Sequence, residues 1–345
     1  MKIIKKPIQN NWDEYIMTNG KGMEIHFLNF GGIITRIYTP DQEGNVENVV
    51  LGYKDYQDYL HNEDFFGAII GRVAGRIKNA SFQLKVENYT LENNDGDHHL
   101  HGGSQSFHNT LWEVKTFKNS KEVGAKLSYM SPHMENGHPG NLKVLVTYWL
   151  IKQNEFIIDY KAKTDQDTII ALTNHSYFNL SGNNKDTIEN HHFSLSSSEF
   201  LELDDTLTPT RNVIPVKDTA FDLQEGDYLK AGISSDHLQN KIIDQGYDHH
   251  FLFNKKKDQV KVTEEKSGRS LSISSTHPGL TLYTANTLGK QHILDHEKSK
   301  AYMGVCLETQ EHPASLYMEQ LPSVVLKKDD VYEKQTVFRF GSVIS

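Results

Sequence analysis

Val144-Leu145-Val146-Thr147-Tyr148-Trp149-Leu150-Ile151, followed after a short polar interval by Phe156-Ile157-Ile158-Asp159-Tyr160-Lys161-Ala162-Lys163, decides the fold. In the second segment Phe156, Ile158, Tyr160 and Ala162 alternate with Ile157, Asp159, Lys161 and Lys163. Successive side chains of an extended strand point to opposite faces, so this period of two marks a half-buried strand. The first segment is dense in β-branched and aromatic residues, which suit a pleated surface. Upstream, residues 125–130 and the turn-rich Asn136-Gly137-His138-Pro139-Gly140 complete a long hairpin with 143–151.

Strand signals of the same kind recur at 23–28, 33–38, 193–195, 251–253, 271–274, 280–283, 301–307 and 337–340. Turn dipeptides such as Asn19-Gly20 and Asp95-Gly96 punctuate them. Helical signals are confined to short pieces at 55–60 and 236–242. Strands do not alternate regularly with helices, which argues against a parallel α/β sheet and for an antiparallel sandwich or barrel. Segment 213–245 is polar and mixed and reads as a loop-rich excursion. No low-complexity linker or repeat divides the chain. The expectation is an all-β fold, one large antiparallel domain over residues 1–345 with few short helices.

The chain has 345 residues, 37% of them hydrophobic, enough for a substantial core. Its 36 basic and 45 acidic residues give a formal charge of −9. That argues against a general nucleic-acid binder, which needs a basic surface. Lys255-Lys256-Lys257 is read as a solvated loop. Cys306 is the single cysteine, so no intrachain disulfide can form, which fits a reducing compartment. The start, Met1 to Pro7, lacks the apolar stretch of a signal peptide, and no run reaches the roughly 20 apolar residues of a membrane span. The expectation is a soluble cytoplasmic protein without a membrane partner.

Several stretches can carry chemistry. Leu100-His101-Gly102-Gly103 places a histidine before two glycines, which permit positive φ and close approach of a ligand. The same histidine can also cap a tight turn. His99 and His101 alternate on one strand face and can share a metal ion, although no third ligand follows at a recognisable spacing. His175, in Asn174-His175-Ser176-Tyr177-Phe178-Asn179-Leu180, follows an apolar run and sits beside aromatic rings. Such rings next to polar groups suit a sugar, but also suit a satisfied core histidine. In Gly71-Arg72-Val73-Ala74-Gly75-Arg76, read as a strand, the two arginines four apart face the same way; at least one can donate to ligand oxygens, and Arg72 is expected in a surface salt bridge. Asp248, in Gly246-Tyr247-Asp248-His249-His250, can accept from two hydroxyls or simply end a turn. Glu308 follows the apolar run Tyr302 to Cys306 and lies either at a strand end in solvent or partly buried; partial burial would raise its pKa and suit it to general base work.

Together these stretches form a pattern. In order they are Gly-Arg-Val-Ala-Gly-Arg-Ile, Leu-His-Gly-Gly, Asn-His-Ser-Tyr-Phe-Asn-Leu, Gly-Tyr-Asp-His, His-Pro-Gly-Leu-Thr-Leu-Tyr-Thr-Ala-Asn and Leu-Glu-Thr-Gln. The chain closely resembles the galactose mutarotase (aldose 1-epimerase) family, from about Gly31-Gly32 to the last strand. The resemblance implies a galactose mutarotase-like supersandwich, a large β-sandwich with an open sugar cleft and no metal or organic cofactor. It implies a cofactor-independent isomerase that interconverts the α and β anomers of free hexoses such as galactose and glucose. By the same resemblance, Glu308 is the general base at the C1 hydroxyl and His175 the general acid at the ring oxygen. His101 and Arg76 bind sugar oxygens, and Asp248 fixes two ring hydroxyls. Tyr177 and His277 complete the expected substrate-binding set. The expected partner is a small aldose, with the protein a monomer or homodimer.

The chain departs from the family pattern at two places. Many members have Gln before the Pro-Gly pair where this chain has His277, and some have Asn where it has Gly75. Both are expected to line the cleft and bear on sugar preference. His98, His99, His249 and His250 are expected at the surface or in support. The competing readings are an epimerase for another or a phosphorylated aldose, a non-catalytic sugar-binding protein on the same fold, and a metal-dependent hydrolase built on His99 and His101.

Overall fold

The computed structural model describes residues 1–342. Three antiparallel sheets dominate. A five-stranded meander runs through Lys2–Pro7, Asp13–Thr18, Glu24–Leu28, Ile34–Pro40 and Val46–Asn48. A nine-stranded sheet is built around the hairpin Glu122–Ser131 and Leu142–Ile151, continued by Glu155–Thr164 and the C-terminal strand Tyr332–Ser342. A six-stranded sheet has the order Tyr177–Phe178, Val305–Gln310, Gly279–Tyr283, Asp248–Leu252, Glu199–Leu203, Pro209–Pro215. The only α-helices among the described residues are the short Lys230–Ile233 and Leu238–Ile242. None is long and apolar enough to cross a membrane.

The alternation read in 156–163 is realised as burial. Phe156, Ile158, Tyr160 and Ala162 are almost fully buried, while Lys161 and Lys163 are exposed. Val144, Val146, Tyr148 and Leu150 on the neighbouring strand face the same core. Opposite them the six-stranded sheet contributes Val305, Leu307, Leu280, Leu282 and Phe251. Each such side chain contributes about 1.5–3 kcal/mol of transfer free energy. The five-stranded meander closes one side with Met17, Ile25, Phe27 and Ile37.

This packing leaves the other face of the six-stranded sheet to polar residues. The face carrying Leu307 and Val305 turns inward, so Cys306, Glu308 and Gln310 must turn outward together. Paired registers extend that row: Glu308 is opposite Thr281, which is opposite His250, and Tyr283 lies between Cys306 and Asp248.

Two expected elements differ. The segment 301–307 is a strand only from Val305, because Ala301 to Gly304 form a turn. The strand then continues through Gln310, so Glu308 is in mid-strand rather than at an end. Gly71 to Arg76 is not one strand either. Ile69–Ile70 and Arg76–Ile77 are separate two-residue strands, so the two arginines diverge. Arg72 is buried and makes no surface salt bridge. Its guanidinium donates to Ser131 Oγ and to the carbonyls of Ser131, Pro132 and Pro139.

Candidate active site

A cleft of about 260 Å³ opens on the outward face of the six-stranded sheet. Its walls include Asp64, Phe65, Gly75, Arg76, His101 and His175, and its floor includes Tyr177, Asp248, His250, Glu308, Gln310 and His312. Six of the seven site residues expected from the sequence therefore meet in one place, although they come from five separate chain segments.

Glu308 is 3% exposed, and its Oε1 lies 3.5 Å from His175 Nε2. Its Oε2 has no protein partner. Burial pushes this carboxyl well above the usual carboxylate range, Asp248 adds to the rise, and Arg76 opposes it. His175 shifts the other way. Burial lowers its imidazole to about 4, its own backbone opposes the shift, and His108 adds to it. A buried acid and base this close titrate as a coupled pair, and between the lowered step and the raised one they hold one proton between them.

The backbone of His175 is tied to the neighbouring chain on both sides of the peptide. Its N–H donates to the Ala68 carbonyl and its carbonyl accepts from Gly67 N–H. The flanking asparagines serve the chain path: Asn174 donates to the carbonyls of Gly67 and Ala68, and Asn179 donates to those of Asp186 and Met303. On the far side of the ring, Cys306 Sγ lies 3.5 Å from His175 Nδ1. Burial raises this thiol well above its ordinary range, so it stays protonated.

His101 sits just past the strand His99–Leu100 at φ +52°. Its Nδ1 accepts from Gly75 N–H at 3.2 Å. An amide can only donate, so neutral His101 carries its proton on Nε2, which is a donor. Burial, with His175 and Arg76 adding, holds this ring uncharged. The glycine after it, Gly102, has φ +85°, and a Cβ there would stand 2.1 Å from the Gly71 carbonyl oxygen. The close approach that the glycine permits is thus to the protein's own loop, where a ligand had been expected.

Arg76 Nε donates to Asp95 Oδ2 at 2.6 Å, and its Nη1 lies 3.9 Å from Asp248 Oδ2. Burial raises Asp248, Arg76 opposes the rise and Asp95 adds to it. Tyr177 contributes its ring to the cleft, since its hydroxyl donates to the Asp64 carbonyl at 2.9 Å. Phe65 packs edge-on against His101 and His108, with ring centroids 4.8 and 4.9 Å away.

His277 does not reach the cleft. Its side chain is fully buried behind the sheet, with Nδ1 3.3 Å from Glu311 Oε2 and its ring beside Tyr160. The His99–His101 metal pair does not form either. His99 turns away, its Nδ1 on the Glu92 carbonyl and its ring beside His138. The donor atoms that do converge, within 4.8 Å of one another, belong to His101, His175 and Glu308. His101 offers that cluster an N–H rather than a lone pair. His98, His99, His249 and His250 are all buried, and His250 lines the cleft, so none of them is a surface residue.

The sequence reading missed His250, Gln310, His312 and Phe65. Period two carried a signal for two of them: His250 shares a face with Asp248, and Gln310 with Glu308. Phe65 and His312 lie in loops and had no such signal.

This arrangement can remove a proton from one oxygen of a small polar ligand and deliver one to another. Residues 13–339 match the family model for aldose 1-epimerase. The galactose mutarotase of Sus scrofa is 37% identical over 327 residues, covering 92% of this chain and 91% of the relative. The aldose 1-epimerase of Escherichia coli (strain K12) is 30% identical over 94% of both chains. Among solved structures, an aldose epimerase homologue from C. elegans superposes with TM-score 0.87 at 31% identity, covering 95% of this chain and 98% of that one. A galactose 1-epimerase from Lactobacillus acidophilus superposes with TM-score 0.89 at 26% identity over 99% of both. The chain belongs to the aldose 1-epimerase family.

Proposed function

We propose that this protein is an aldose 1-epimerase acting on free hexoses such as galactose and glucose, with Glu308 and His175 moving the protons. The observation that carries the assignment is the buried Glu308–His175 pair, 3.5 Å apart in a polar cleft with Glu308 Oε2 unpartnered. Glu308 takes the proton of the C1 hydroxyl while His175 delivers one to the ring oxygen. The C1–O5 bond breaks and leaves an aldehyde. Rotation about C1–C2 presents the other carbonyl face. The pair then reverses roles and the ring closes as the other anomer. No electron is transferred and no group leaves, so an acid, a base and hydroxyl recognition suffice. Arg76, His101 and Asp248 bind the ring's oxygens, and the rings of Tyr177 and Phe65 pack against its C–H surface.

The charge of the cleft supports an uncharged sugar over a phosphorylated one. Glu63, Asp64, Asp244, Asp248 and Glu308 line it, whereas Arg76 is its one Lys or Arg among the described residues and already faces Asp95 and Asp248. Arg72, the other candidate cation, is enclosed by carbonyls. We hold the cytoplasm as its location, on the single buried cysteine.

Polarimetry on freshly dissolved α-D-galactose, α-D-glucose and α-D-glucose 6-phosphate tests the reading. Accelerated decay is expected for the two free sugars and much less for the phosphate. Purified protein that leaves all spontaneous rates unchanged would overturn it.

A further inference from the structure

Beyond the catalytic pair, one wall of the cleft holds polar groups with no task in the proton transfers. Gln310 follows Glu308 by two residues on the same strand face, a displacement of about 7 Å along the strand. It is 1% exposed, lines the cleft, and its Oε1 has no hydrogen-bond partner. Leaving such an amide unpaired costs about 1–3 kcal/mol, so a buried orphan in the cleft wall calls for a ligand atom. Its carbonyl and amino ends have the same shape, and either can turn toward that atom.

His312 stands beside it. Its Nδ1 accepts from Ala314 N–H at 3.1 Å, capping the short 3-10 turn Pro313–Leu316. As with His101, an amide donor on Nδ1 fixes the neutral tautomer with the proton on Nε2. Burial, with Arg76 adding, lowers this ring to about 3, so it is an uncharged donor at any working pH. Nε2 makes no hydrogen bond among the described residues, and the ring lines the cleft. The third element is Gly75, at φ +82°. A Cβ there would touch Pro313 at 3.4 Å and Gln310 Nε2 at 3.5 Å. Any side chain at position 75 would project into the space in front of the Gln310 amide and Pro313, the residue after His312, and glycine leaves it open.

We infer that Gln310, His312 and the bare backbone at Gly75 form a second hydroxyl-binding subsite that sets sugar preference. The inference rests on the epimerase reading. One acceptor and one donor side by side match a single sugar hydroxyl, which both donates and accepts. The distance from Glu308 places this hydroxyl on the part of the ring remote from C1. The subsite therefore reads configuration away from the reacting carbon.

The test measures kcat and KM of wild type, His312→Asn and Gln310→Met on D-galactose, D-glucose and the 2-, 3-, 4- and 6-deoxy forms of the better substrate. Asn keeps a side-chain oxygen to cap Ala314 N–H but loses the ring donor, and Met keeps the volume of Gln without its amide. For one deoxy position, wild type is expected to fall in kcat/KM by about 3- to 10-fold, the value of one uncharged hydrogen bond. Both variants should lose the same factor on the parent sugar, mostly in KM, and no longer distinguish it from that one deoxy analogue. Variants that match wild type on every sugar, or that lower kcat/KM equally for the parent and all deoxy forms, would overturn the subsite while leaving the epimerase reading intact. A wild type inactive on every aldose would remove both.

Discussion

At the scale of single residues, two carboxyl or imidazole groups that would be unremarkable in water become an acid–base pair through burial alone. Glu308 is raised and His175 lowered, in each case chiefly because the charged form is desolvated. Glu308→Gln keeps the shape and removes the proton acceptor. It should lower kcat by about 100-fold or more, the usual range for a general base, with sugar binding by calorimetry retained. The pH profile follows from the same shifts. Below about pH 4 the pair holds two protons and has no base. Above the raised pKa of Glu308 it holds none and has no acid. A bell-shaped kcat/KM with its acid limb near pH 4 is expected; a limb near 6.5, the value of a free imidazole, would contradict the buried pair.

At the scale of elements, the strand Val305–Gln310 does two tasks, with one face in the core and the other in the cleft. The chain just beyond it is tied down by Glu311, whose carboxylate meets His277 Nδ1, Lys334 and the Tyr332 hydroxyl. Burial pushes Glu311 up, but the bond and charge of His277 and then Lys334 outweigh it and hold the carboxyl at about 2. A folded pKa below the unfolded one adds stability that is present above pH 4.5 and lost as pH falls toward 2. Glu14 behaves in the same way. Its burial is outweighed by the bonds from His26 and Tyr56, which hold it at about 2. Acid unfolding is therefore expected across the interval from pH 4.5 to 2. Glu311→Gln should reduce urea stability at pH 7 by about 3–5 kcal/mol, because it leaves buried partners uncompensated, and should flatten the acid transition. Equal stability of the variant and wild type at pH 7 would show that the network contributes nothing.

At the scale of the whole molecule, core and cleft share one sheet, so a probe of one reports on the other. Cys306 is fully buried between Tyr177 and Tyr283 in that sheet, with its thiol protonated. A thiol reagent should leave the native protein unmodified at neutral pH and react only in step with global unfolding in denaturant. Fast labelling of the native state would mean that the cleft floor opens locally. The sandwich itself was legible in the alternation of Phe156 to Lys163 and in the Asn136-Gly137 turn, because strand period and turn chemistry are local properties. The motifs around His101, His175, Asp248 and Glu308 were legible too, whereas the face shared by Glu308 and Gln310 was missed because the strand was expected to stop at Leu307. His277 and Arg72 were not, since whether a polar side chain meets the cleft or a buried carboxylate depends on which segments pack behind it. The sequence by itself determined the strands, their patterning and the family, because these follow from period and residue order. Only the tertiary structure decided which polar groups share the cleft, that Glu308 lies buried in mid-strand against His175, and that the Gln310 amide stands where Gly75 leaves room. Desolvation, tautomer and contact depend on neighbours far apart in the chain, and these exist only after the sheets have packed.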